Sequence, residues 1–155
     1  MKSTEAGPGL PPTVSHARAL EVASDAGDLH AVEELMIDLM RRGTGREDDT
    51  TGDIAAMLVD AAIEACRIAS AGTPDASRAT ATLIRRTVLW CASVGELEGA
   101  YSLAHLTGDV ATLEDVYHAA SRARPRGAKA ERVLAAVRDR LAQEGAPPLP
   151  HPDET

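Results

Sequence analysis

The sequence predicts an all-α protein, on three observations. Aromatic residues make up 2% of the 155 residues, as Trp90, Tyr101 and Tyr117 with no Phe. Roughly one residue in five is Ala, the strongest helix former and small enough to let helix axes approach, whereas strands draw on aromatic and β-branched residues. A Gly–acid–aliphatic triplet recurs at Gly27-Asp28-Leu29, Gly52-Asp53-Ile54, Gly95-Glu96-Leu97 and Gly108-Asp109-Val110. Gly suits the left-handed residue that closes one helix, and the acid can cap the next while complementing its positive N-terminus. With 44% apolar and 26% charged residues, the chain can bury a core, and its length suits one domain.

Taken in order, residues 1–12 contain Gly7, Pro8, Gly9, Pro11 and Pro12 and are expected to form a disordered tail. A single helical domain is expected over 13–144, with about seven helices near 13–26, 28–42, 53–71, 75–94, 96–106, 109–122 and 127–144, stacked as antiparallel hairpins. The first ends at the Gly27 junction. In the second, Leu29, Val32, Leu35, Met36, Leu39 and Met40 form one apolar stripe, so that helix buries one face. The third carries two stripes, Ile54, Met57, Leu58, Ala61, Ala65 and Ile68 on one side and Val59, Ile63 and Cys66 on another, which makes it the central helix. The fourth presents a broad face from Leu83 to Val94 that includes Trp90. The fifth and sixth are short, and the turn at Thr107-Gly108 makes them antiparallel neighbours. The last buries Val133, Leu134, Val137 and Leu141. Residues 145–155, with Pro147, Pro148, Pro150 and Pro152, are expected to form a second disordered tail.

Two junctions, Trp90 followed by Gly95-Glu96-Leu97-Glu98-Gly99-Ala100, and Ala23 followed by Gly27-Asp28-Leu29, resemble the points where one helix of a tetratricopeptide-like repeat turns into the next. The resemblance implies a solenoid of helical hairpins and a binding role. The Gly–acid junctions are spaced 25, 43 and 13 residues apart, against a constant period of about 34 in a regular array. A compact capped helical bundle would carry the same punctuation and stands beside the solenoid as an architecture.

Charge and composition exclude several functions. The net charge of −8 is unevenly spread: residues 122–140 carry +5 and residues 1–121 carry −10. An acidic body repels a phosphate backbone, so nucleic acid is not an expected partner. The basic stretch is expected to be a solvated face of the last helix, attracted to its own acidic body. No apolar run approaches the roughly 20 residues that span a bilayer, and Met1 to Pro12 lacks the pattern of a secretory signal. A cytoplasmic protein without membrane attachment is expected. Cys66 and Cys91 lie in apolar helical stretches and are expected to be reduced. No phosphate loop, nucleophile elbow, HExxH or dinucleotide fingerprint is present, so no cofactor and no metal are expected. The Arg-rich, Ala-rich and Gly-rich composition is that of a high-GC bacterial protein.

What chemistry remains lies between residues 83 and 121. His105 and His118 sit at the edges of apolar faces in consecutive helices and could share a groove. Glu114 precedes His118 by one turn and Asp115 by three residues, so either carboxylate could orient the imidazole as a general acid/base pair. A plain surface Glu–His helix pair is the alternative. His30 projects opposite its apolar stripe and is expected to be solvated. Trp90, Tyr101 and Tyr117 lie on apolar stripes of neighbouring segments, as core anchors or, together with His105 and His118, as binding hot spots. The leading expectation is a non-catalytic interaction protein that binds a partner protein or peptide, or a second copy of itself. The alternative is a cofactor-free enzyme or small-molecule binder of bacterial specialised metabolism using His105, Glu114 and His118. A further alternative is an acidic inhibitor or immunity-type protein.

Overall fold

The computed structural model describes residues 12–43, 50–123 and 127–150. Seven helices and no strand occur among them: α1 (Pro12–Ala26), α2 (Leu29–Gly43), α3 (Thr50–Ser70), α4 (Pro74–Ser93), α5 (Leu97–Thr107), α6 (Val110–Arg122) and α7 (Ala128–Gln143). The all-α expectation holds, and six of the seven helices start and end within a residue of the spans expected from periodicity.

Three of the four Gly–acid junctions are helix breaks, with Gly27, Gly95 and Gly108 at positive φ, a conformation that Gly alone adopts freely. At Gly95 the amide of Glu96 donates to the Cys91 carbonyl at 2.8 Å and that of Gly95 to Ala92 at 3.2 Å, the paired bonds of a Schellman turn. Asp28 then accepts from the Ala31 amide at 3.1 Å, and Asp109 from that of Thr112 at 3.1 Å. The fourth junction differs. Gly52 lies inside the first turn of α3, which begins at Thr50 rather than at the expected residue 53. Gly52 is not at positive φ and continues the helix rather than closing one.

The helices pack in a ladder. Each lies against the next and the next but one, so that α3 touches α1, α2, α4 and α5, and α5 touches α3, α4, α6 and α7. This is the order of stacked antiparallel hairpins, in which each unit completes the core of its neighbour. Along it run fully buried Val32, Met36 and Leu39 of α2, Leu58 of α3, Ile84 and Val88 of α4, Leu103 of α5, Leu113 and Val116 of α6, and Leu134 and Val137 of α7. Ala61, Ala62 and Ala65 of α3 and Ala100 and Ala104 of α5 are fully buried as well. With no Phe to fill space, alanines close the gaps by letting axes approach. The expected central place of α3 is not found: its first stripe is buried or half-buried, but on the second Ile63 is exposed and Val59 and Cys66 are half-buried, and α4 and α5 have neighbours on both sides as α3 does.

The expected N-terminal tail lies outside the described residues except for Pro12, which opens α1. Of the expected C-terminal tail, residues 145–150 are described. They form neither helix nor strand, and Ala146 and Leu149 are half-buried against the core.

No described helix is long and apolar enough to cross a membrane.

Candidate functional site

The face best furnished for binding lies along α5 and α7. The two helices run parallel, joined by two polar contacts from residues 34 and 35 apart. Arg132 Nη2 meets Glu98 Oε2 at 3.5 Å, and Arg140 Nη1 donates to His105 Nδ1 at 2.6 Å. Between them a shallow recess of about 220 Å3 is lined by Glu98, Tyr101, Ser102, Arg132, Val133 and Ala136. Beside it, at the N-termini of both helices, a wider groove of about 610 Å3 has Leu97, Arg122, Lys129 and Ala130 in its walls. The seam therefore combines a half-buried phenol ring, an aliphatic floor and charges of both signs.

His105 has a structural duty here. Arg140 donates from Nη1 to the His105 carbonyl at 3.1 Å and from Nε to Glu144 at 2.8 Å, so its guanidinium satisfies the open C-terminal end of α5. Arg carries donors only, so Nδ1 of His105 is the acceptor in this contact. The Tyr101 ring stands 5.7 Å from that imidazole.

His118 stands elsewhere. It is exposed, its ring edge-on to Tyr117 at 5.5 Å, and neither Glu114 nor Asp115 bonds to it. Asp115 instead accepts from Arg85 of α4 at 3.1 Å. His105 and His118 lie three and ten residues from the Gly108 turn, so in antiparallel helices rising about 1.5 Å per residue they sit roughly 10 Å apart along the axis. The shared groove expected for the two histidines does not form. His30, expected to be solvated, is exposed, with Glu34 at 3.6 Å.

The three aromatic residues also separate. Trp90 lies against the backbone of Gly43, where a Cβ would come within 2.5 Å of Cζ2, and Ile54 borders the same spot. Its Nε1 is enclosed without a hydrogen-bond partner. Tyr101 lines the α5–α7 recess. Tyr117, 6% exposed, donates its hydroxyl proton to the Pro150 carbonyl. Stripes on successive helices share a core without sharing a location, because each helix faces different neighbours along the ladder.

Both cysteines are free. Burial pushes the Cys91 thiol up to about 12, with Glu96 adding to the effect, and burial also raises that of Cys66. Neither is a thiolate nucleophile near neutrality. Among the described residues no group of three or more His, Cys, Asp or Glu side chains is placed to hold a metal ion.

Residue-by-residue reading missed Arg132, Arg140 and Glu98. The spacing that finds them is visible afterwards: partners of the α5–α7 seam recur 34 or 35 residues apart.

The fold and this seam define an all-α stack of hairpins with an open, mixed-polarity face. No known protein family, curated protein or solved structure matches the chain.

Proposed function

We propose that this protein is a non-catalytic scaffold of tetratricopeptide-like helical hairpins that binds a protein or peptide partner along the α5–α7 seam. The observation that carries the reading is the parallel α5–α7 pairing with contacts 34 and 35 residues apart, the period of tetratricopeptide arrays. Other pairs depart from it: α1 meets α3 through Ser24 and Arg67, 43 residues apart, and α2 meets α4 through Glu33 and Thr80, 47 apart. The longer α3 and α4 stretch the repeat there. The seam adds what a binding face needs, a rigid aromatic ring beside exposed charges.

The test replaces two residues that line the recess, Tyr101, half-buried against the core, and exposed Ser102. Tyr101→Ala and Ser102→Arg chains are used as baits beside wild type, and the partner recovered with wild type is then titrated against each by calorimetry. At least a tenfold loss of affinity is expected in both, since the recess is either emptied or filled, with an unchanged thermal melt for Ser102→Arg and a lowered but still cooperative one for Tyr101→Ala. Full affinity in both variants would remove the seam from the reading.

A further inference from the structure

We propose that the groove on the far flank of α6 and α7 is a recognition site for an extended, proline-rich peptide segment of a partner protein, and that residues 146–150 of this chain occupy it as an internal mimic. At the end of α7 the Ala146 amide donates to the Leu141 carbonyl at 3.0 Å and the chain reverses direction. It then runs Ala146-Pro147-Pro148-Leu149-Pro150 without helix or strand until the Pro150 carbonyl accepts from the Tyr117 hydroxyl on α6. Ala146 and Leu149 are half-buried against the core, while Pro147, Pro148 and Pro150 are exposed. Two inward residues three apart, with prolines outward, is the periodicity of a polyproline II ribbon presenting one edge. An apolar edge plus a hydroxyl bonded to a proline-segment carbonyl is how aromatic-lined grooves read such ribbons.

Three features point beyond a fixed cap. The segment is anchored by two partly exposed apolar residues and one hydroxyl. Its prolines leave little freedom to lose on docking, so a weak set of contacts suffices when tethering supplies an effective concentration in the millimolar range. The fit is also incomplete. A cleft of about 640 Å3 stays open between the segment and the Ala135–Ala142 flank of α7, with Ala146 in its wall. A partner segment with a larger aliphatic residue at that position reaches into the cleft and displaces the internal one. This flank, with Ala135 and Ala142, is separate from the α5–α7 seam, where α7 presents Arg132 and Ala136.

The experiment uses the full chain and fluorescein-labelled peptides of residues 145–155, either native or with Leu in place of Ala146. Leu149→Asp is expected to release the internal segment, and fluorescence anisotropy should show it binding the native peptide at least tenfold more tightly than wild type does, with the Leu-bearing peptide tighter again. Adding Tyr117→Phe to the Leu149→Asp chain should weaken the complex about fivefold, the loss of one hydrogen bond. Should Leu149→Asp misfold, a Pro147→Gly, Pro148→Gly chain loosens the segment with both anchors intact and is expected to bind in the same order. No peptide binding by either opened chain, with native circular dichroism, overturns the proposal. So does a wild-type dimer that the peptide dissociates, which would make the occupant a second copy.

Discussion

At Gly43 and Trp90 a single hydrogen atom decides the packing of two helices. The indole can lie against the end of α2 because Gly43 has no Cβ, which would stand 2.5 Å from the nearest ring carbon. The Trp90 ring is a rigid, half-buried side chain with Ile54 beside it, so it has little room to give, and Gly43→Ala is expected to destabilise by about 1–3 kcal/mol through overpacking. Trp90→Ala should cost about 3 kcal/mol through the cavity it leaves. Chemical denaturation of both variants separates the two costs, and in the double variant they should add to less than their sum, since each change removes the other's clash or void. A second contrast opposes two residues of the histidine region. His118 is exposed and unbonded to its carboxylate neighbours, so His118→Ala should melt as wild type does. Arg140 holds the end of α5, and Arg140→Ala should lose about 1–2 kcal/mol. A His118→Ala chain melting well below wild type would mean that the imbalance between the two is misassigned.

At the level of elements, caps and turns decide where helices stop. Asp109 is the clearest: one carboxylate oxygen accepts both the Thr112 amide at 3.1 Å and the Thr112 hydroxyl at 2.6 Å. Thr112 is buried, so Asp109→Ala removes a cap and strands a buried hydroxyl. A loss of about 1–2 kcal/mol is expected, with most of it recovered in Asp109→Asn, which keeps an acceptor. Urea melts of the two variants make the comparison. Gly52 shows the limit of the same rule: the triplet is identical in type, yet this Gly lies inside the first turn of a helix without positive φ.

Across the whole molecule, α1 joins the stack through carboxylates. Hydrogen bonds from Arg42 and then His16 hold the Asp38 carboxyl below the usual range, with His16 Nε2 at 2.8 Å. The Ser24 hydroxyl and then Arg67 do the same for Glu64. A carboxyl whose folded pKa is depressed stabilises fully above its unfolded value and loses that contribution as pH falls through the folded one. The acid limb of the stability profile, below about pH 4, should therefore be flatter in an Asp38→Asn, Glu64→Gln chain, which starts lower at neutral pH. Thermal melts between pH 2 and 7 give the slopes; parallel slopes would mean that neither group is linked to folding.

Local chemistry made much of this protein legible in advance. Alanine content, apolar periodicity and Gly–acid breaks are properties of neighbouring residues, and they sufficed for the all-α class, the seven described helices and the antiparallel α5–α6 turn, but not for the place of α3, whose second stripe stays partly uncovered. Partnerships between distant residues were out of reach. Apolar position on a stripe says that Trp90, Tyr101 and Tyr117 turn inward, but not toward which neighbour, so their separation onto three faces was decided by the ladder. The spacing of Glu114 and His118 permitted a pair, yet Arg85 from α4 took Asp115 and the imidazole turned to Tyr117. Likewise His105 became part of a helix end only because Arg140, 35 residues on, arrives beside it. A helix chooses its inward face from its own sequence, whereas the charges and rings that meet across faces depend on how far each helix is shifted along its neighbours, and tertiary packing alone sets that shift.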